Sequence, residues 1–202
     1  GFPIQGSNVI RIQGLVLRPN LIIGNSKVGA ESFEYPVAVA VNSDGEVFIA
    51  DYLKRRVSVF SKDGRLVRTI GSKKPGGPNF SGPRAICVDP SGQIFVADTK
   101  RTGATTIIVL SPDGARLRSF SVPMAPQKMM VRHGSLFLSH RMTNFDFNLY
   151  EFSLEGTRIG EYENVSGLEE DKAATTAVVD QSGSIVSAGY FAPFIKKYTR
   201  EG

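Results

Sequence analysis

Short runs in which apolar and polar residues alternate fill most of this chain, and nearly every run stops at a turn containing glycine. A period of two marks a strand with one face buried, and no stretch sustains the 3.6-residue period of an amphipathic helix. Val57 to Phe60 and Leu66 to Ile70 flank Asp63-Gly64, while Ile107 to Leu110 and Leu117 to Phe120 flank Asp113-Gly114. Glycine at such a turn supplies the positive φ that a tight hairpin needs. The one helix-like signal, Ser166-Gly167-Leu168-Glu169, has capping-box spacing and predicts a single turn in a loop.

The alternation is itself repeated. Phe33 to Asp51 returns as Phe80 to Asp98, 47 residues later and without a gap, with Phe, Pro, Gly and the final Ala-Asp coinciding. A third copy runs from Pro126 through His133-Gly134 to Tyr162, and a fourth holds Ala177 to Gly183, Ser184 to Ala188 and Phe194 to Tyr198. The fourth lacks its last strand. The apolar, β-branched stretch Val9 to Ile23 precedes the first Phe-x-x-Pro just as such a strand should. Units of roughly 40 to 50 residues, each an up-and-down meander of four strands, predict propeller blades.

The expected fold is therefore all-β, a β-propeller of four-stranded antiparallel blades at 36–71, 83–120, 126–162 and 173–202, forming one domain over 1–202. Residues 9–24 are expected to complete the last blade. That closes a ring of four blades, favoured over a share of a larger ring because the strand missing at one end is present at the other. The pattern of Pro, strand, Asp/Ser-Gly, apolar strand, Ala-Asp and polar loop, then Arg56-Val57-Ser58-Val59-Phe60, Asp63-Gly64 and Ile70-Gly71, resembles the NHL-repeat family of β-propellers. The resemblance is strongest over 33–120. It extends to the NHL domain found at the C-terminus of tripartite-motif (TRIM) proteins, some of which are RNA-binding ubiquitin ligases. The family usually has six blades, where this chain has residues for four.

Composition narrows the setting. With 41% hydrophobic residues and 13 Phe the chain can build a core, and no run approaches the ~18 apolar residues of a membrane-spanning helix, so no membrane partner is expected. The single cysteine, Cys87, cannot form an internal disulfide, and no leader-like segment opens the chain, so a cytoplasmic location and a monomeric domain are the expectations. Asn-x-Ser triplets at Asn79 and Asn164 weigh slightly against that location. Residues 1–141 carry 19 Lys and Arg against 9 Asp and Glu, while residues 142–202 carry 5 against 10, which divides the +5 total into a basic part and an acidic part.

Meander order assigns each loop to a face. If the first strand of each blade starts at the upper rim, the upper loops 52–56, 72–84 and 99–106 hold Lys54, Arg55, Arg56, Lys73, Lys74, Arg84, Lys100 and Arg101 and no acidic residue. Arg141 extends the arc into the third blade. Tyr52, Phe80, Phe145, Phe147, Tyr190 and Phe191 fall in or beside these loops, and rings among cations suit the bases and phosphates of single-stranded nucleic acid. Phe80 matches Phe33 and reads as blade packing, Arg56 has an equal claim to a structural role, and Asp51 and Asp98 read as turn stabilisers.

The candidate RNA-binding set is Tyr52, Lys54, Arg55, Lys73, Lys74, Arg84, Lys100, Arg101 and Arg141. Single-stranded or structured RNA is the expected partner, and a protein-interaction or substrate-recruitment platform is the alternative. Enzymatic propellers related to the family place His, Asp or Glu around the central channel. This chain offers only His133 at a lower turn and His140 in place of the Asp of Ala-Asp, with Cys87 on an apolar strand, so catalysis, metal and cofactor are not expected. Ligase chemistry would have to lie outside the chain, since RING and B-box cysteines are absent from it.

Overall fold

A computed structural model describes residues 10–12, 15–17, 21–24, 31–71, 78–141, 147–162, 174–189 and 195–198. Four antiparallel meanders follow one another along the chain. The first is β3 (Pro36–Val41), β4 (Val47–Asp51), β5 (Arg56–Phe60) and β6 (Leu66–Gly71). The second is β7 (Pro83–Val88), β8 (Ile94–Thr99), β9 (Thr105–Leu110) and β10 (Arg116–Val122). The third is β11 (Lys128–Arg132), β12 (Ser135–Arg141), β13 (Phe147–Ser153) and β14 (Arg158–Tyr162). The fourth has three strands among the described residues, β15 (Ala174–Val179), β16 (Ile185–Gly189) and β17 (Ile195–Tyr198).

The lower turns are built alike. Gly64 N donates to Ser61 O at 2.8 Å, Gly114 N to Ser111 O at 2.9 Å and Gly183 N to Asp180 O at 3.1 Å. In the first, second and fourth sheets an Asn or Asp side chain locks the turn that follows the first strand. Asn42 Oδ1 accepts from Glu46 N at 2.8 Å, Asp89 Oδ1 from Gln93 N at 2.9 Å, and Asp180 Oδ1 from Ser184 N at 3.0 Å. Pro36 and Pro83 each open a first strand at a register shift, which accommodates a residue with no N–H to offer the ladder.

Alternation sends each strand's side chains to two neighbouring sheets. Phe48, Ala50, Val57 and Val59 of the first sheet pack on Ile86, Ile94, Val96, Ile108 and Leu110 of the second. The opposite face of the second sheet, with Cys87, Phe95, Ala97, Ile107 and Val109, packs on Met129, Val131, Leu136 and Leu138 of the third. Phe137 and Leu149 then meet Val179 and Ile185 of the fourth. The first strands β3, β7 and β11, with the end of β15 and Asp180-Gln181, line one central cavity of about 710 Å³.

A pair of arginines ties the sheets along the lower rim. Arg68 on β6 donates to Pro112 O in the next sheet's turn at 2.8 Å and to Glu46 Oε1 in its own sheet at 2.8 Å. Arg118 on β10 repeats this one sheet later, donating to Leu154 O at 3.0 Å and to Gln93 Oε1 at 3.0 Å. The Arg68 hydrogen bond, helped by its charge and by the Asn42 amide, holds the Glu46 carboxyl below its ordinary pKa against the opposing effect of partial burial. A depressed native pKa adds stability above the unfolded value and loses it as pH falls through the native one. The stability difference between the wild type and Arg68→Met is therefore expected to be about 0.5 to 1 kcal/mol at neutral pH and to shrink below about pH 4.3, read by urea unfolding across a pH series.

Part of the segment expected to complete the last blade is described. β1 (Ile10–Ile12) pairs with β2 (Leu15–Leu17) in register Ile12↔Leu15, and the fourth sheet ends at β17 among the described residues. The segment beyond β2, 21–24, lies against the first sheet, with Leu21 filling the space at Gly64 and Gly24 lying under the Phe33 ring. In the next two sheets Ile70 fills the space at Gly114 and Phe120 that at Gly156, so Leu21 stands where the outer strand of a preceding sheet would. The capping-box signal at 166–169 lies outside the described residues.

Candidate functional site

The upper rim is organised by two buried carboxylates. Asp51 accepts from Glu34 N at 2.8 Å, Tyr35 N at 3.0 Å and Lys54 N at 3.2 Å; Asp98 accepts from Ser81 N at 2.8 Å and Gly82 N at 2.7 Å. Each therefore fastens the link entering its own sheet to the end of its second strand, the turn-stabilising role that its place in the repeat implied. Gly82 must be small there. A Cβ at Gly82 would lie 2.5 Å from the Tyr52 ring and 3.0 Å from Thr99 O.

Over that glycine the structure assembles a stack. The Arg84 guanidinium lies 5.0 Å from the centroid of the Tyr52 ring, and Tyr35 meets the same ring edge-on at 6.2 Å and 73°. Tyr52 is half-buried, whereas Arg84 is exposed and Tyr35 is 57% exposed. Cation–π geometry of this kind fixes the guanidinium plane and leaves its charge in solvent. Arg55 is exposed in the adjoining loop at φ 51°, and Lys100 and Arg101 are exposed in the tight turn closed by Gly103 N donating to Lys100 O at 2.9 Å.

Other members of the basic arc have different duties. Lys54 Nζ donates to Ser32 O at 2.9 Å and to Ser32 Oγ, and Arg56 Nη2 donates to the same carbonyl at 2.7 Å, so both hold down the link before β3. Arg141 ends β12, its side chain lying outside the described residues, as do Lys73, Lys74, Phe145, Tyr190 and Phe191. Phe80 is 4% exposed in the core between the first two sheets, a packing residue. The rim is also less purely basic than the loops 52–56, 72–84 and 99–106 alone imply, since the tethered link 31–35 brings in the exposed Glu31 and Glu34. Tyr35 escaped the sequence reading because its neighbours come from another strand. Its signal was its place one residue before the repeated Pro.

The residues weighed for catalysis sit apart. His133 is exposed at a lower turn with φ 50°, beside Gly183, while His140 Nδ1 is 2.9 Å from Ala125 O. Burial pushes the Cys87 thiol above its ordinary pKa, with Asp89 adding to the shift, a direction that disfavours the thiolate. Among the described residues no three His, Cys, Asp or Glu side chains come together as metal ligands, and no helix is long and apolar enough to cross a membrane.

The NHL repeat model matches residues 80–102, from Phe80 through β8 into the loop that carries Lys100 and Arg101. Successive four-stranded meanders around a central cavity recur in solved structures. Virginiamycin B lyase from Staphylococcus aureus, solved with quinupristin, matches at 16% identity and TM-score 0.58, over 96% of this chain and 61% of its own. A gluconolactonase from Xanthomonas campestris matches at 14% and 0.52, over 74% and 54%. BamB from Moraxella catarrhalis matches at 12% and 0.52, over 81% and 46%. The chain folds as a β-propeller.

At these identities the likeness is one of fold, and it includes two enzymes. The chain spans 52 to 61% of the length of virginiamycin B lyase in the structures it matches. No curated protein matches the chain in sequence. The blades of this propeller are its successive meanders.

Proposed function

We propose that this propeller is a binding module that takes single-stranded RNA on the upper rim of its first two blades. The observation that carries the reading is the Arg84–Tyr52–Tyr35 stack with Arg55, Lys100 and Arg101 exposed on adjoining loops. Bases stack on aromatic and guanidinium planes while separate cations neutralise phosphates. With about four phosphates neutralised, log affinity should fall against log salt with a slope of about −3. Tyr52→Ala frees the Arg84 plane and should weaken binding by about 1 to 3 kcal/mol.

Fluorescence anisotropy with short mixed-sequence RNA at two salt concentrations tests this. Charge reversal of Lys100 and Arg101 should flatten the slope. Reversal of Lys62 and Arg65 near a lower turn should not, and equal losses from both pairs would reduce the reading to nonspecific attraction. Attachment to a ubiquitin ligase, which the tripartite-motif resemblance implies, and work in the cytoplasm belong to the same proposal. A second reading, a protein partner on the same rim, is favoured by Glu31 and Glu34 beside the cations and by Leu53, 52% exposed at the loop tip. Folded protein that binds no RNA at low salt leaves that reading in place.

A further inference from the structure

Two features of the upper rim go unused by phosphate binding. The first is that Arg84 is held as a plane. Its guanidinium lies 5.0 Å from the Tyr52 ring centroid, and among the described residues it makes that contact and no hydrogen bond. A guanidinium with one face against a ring keeps its N–H donors along its edge, where two parallel donors suit a planar group carrying two adjacent acceptors. A phosphate needs only charge, which Lys100 and Arg101 already supply from the neighbouring turn.

The second feature is an acid among the cations. Asp51 accepts from Glu34 N at 2.8 Å and Tyr35 N at 3.0 Å, and also from Lys54 N at 3.2 Å. One buried carboxylate thus fixes the backbone of Glu34 beside the loop that carries Tyr52. Glu34 is exposed there. A carboxylate repels phosphate, but it accepts well from a pair of N–H donors on one planar edge. Arg84 and Glu34 come to Tyr52 from separate links, one entering the second blade and one entering the first.

Bases differ in what they offer such a pair. Guanine presents two acceptors, O6 and N7, on one edge and two donors, N1–H and the N2 amino group, on another. Adenine sets its N7 beside an amino donor, and uracil has no two adjacent acceptors. Cytosine offers N3 and O2 to a fork, yet it has no second edge with two donors for a carboxylate. We infer that the rim selects guanine, with Arg84 donating to O6 and N7 and Glu34 accepting from N1–H and the N2 amino group. This selection rests on the binding of RNA at the rim proposed above, and it gives the acid in the basic rim a role that phosphate contacts do not.

Competition anisotropy with the whole chain tests this, using short uridine oligonucleotides that differ at one central position. The guanine probe should bind about 5- to 150-fold tighter than those with adenine, cytosine or uracil, the range of one good bidentate contact. 7-Deazaguanine, which lacks the N7 acceptor, and inosine, which lacks the N2 amino group, should each lose part of that advantage. Arg84→Lys keeps a charge without the fork and should shrink the guanine-to-adenine ratio, and Glu34→Gln should narrow the difference between guanine and inosine. Charge reversal of Lys100 and Arg101 should instead weaken all probes and leave the ratio standing. Arg84 and Glu34 are both exposed, and unchanged melting profiles keep a loss of ratio from being a loss of fold. Equal binding of all four bases leaves RNA binding in place and overturns guanine selection, as does undiminished affinity for 7-deazaguanine or a preference for cytosine. No binding of any probe at low salt overturns the RNA reading and this selection with it.

Discussion

Asp98→Ala is expected to lower the stability of the folded chain by about 2 to 4 kcal/mol, seen as a lower urea midpoint at constant slope. The carboxylate is 6% exposed and accepts Ser81 N on both oxygens and Gly82 N on one. Its removal leaves those N–H groups in a link that has no strand partner to offer instead, and a buried donor without an acceptor costs about 1 to 3 kcal/mol. Asp98→Asn keeps one acceptor oxygen and should lose less. Because Gly82 forms the floor beneath Tyr52, the alanine variant should also weaken binding at the rim by more than its distance from solvent implies. Retained rim affinity alongside the stability loss would show that the stack holds itself.

Gly114→Ala should be nearly as damaging, at about 2 to 4 kcal/mol. Two costs combine. Gly114 has φ +96°, where an L side chain is strained by about 1 kcal/mol, and a Cβ there would lie 2.8 Å from Cγ1 of the Ile70 side chain. Ile70 is 4% exposed in the core between the first two blades, so relieving the contact means repacking, which typically costs about 1 to 3 kcal/mol. Ile70→Val in the same chain should recover part of the loss, because it removes Cδ1, which would lie 3.0 Å from the same Cβ, and leaves Cγ1 as a methyl that can shift more easily. A double variant no better than Gly114→Ala would assign the effect to the backbone and the retained Cγ1.

The propeller was legible because its information is local and repeated. Phe33 to Asp51 and Phe80 to Asp98 carry the Pro that opens a first strand, the Gly of the lower turn and the Asp that stitches the upper link, and each acts within its own blade. What was not legible lies where partners are distant or equivalent. Leu15–Leu17 pairs with Ile10–Ile12 among the described residues, a partner that composition alone does not single out. Lys54 looked like a free cation because Ser32 sits 22 residues away in a link with no pattern of its own. The Tyr35, Tyr52 and Arg84 cluster required knowing that the loop of one blade leans on the entry to the next. The lower-rim arginines were within reach: Arg68 and Arg118 recur at matching places, with Glu46 and Gln93 as matching partners.

That pair of arginines separates two kinds of surface. Arg68 reaches Pro112 and Arg118 reaches Leu154, so these two hydrogen-bonded clamps between adjacent blades lie at the edge opposite the Tyr52 loop, and each spans a single seam. In a nearest-neighbour array a change at one seam is felt by the next unit and little further. Loop 100–104 can then be exchanged for other sequences without unfastening the blade that carries it. A molecule arranged in this way can acquire new ligands by rewriting one rim while the other keeps its shape.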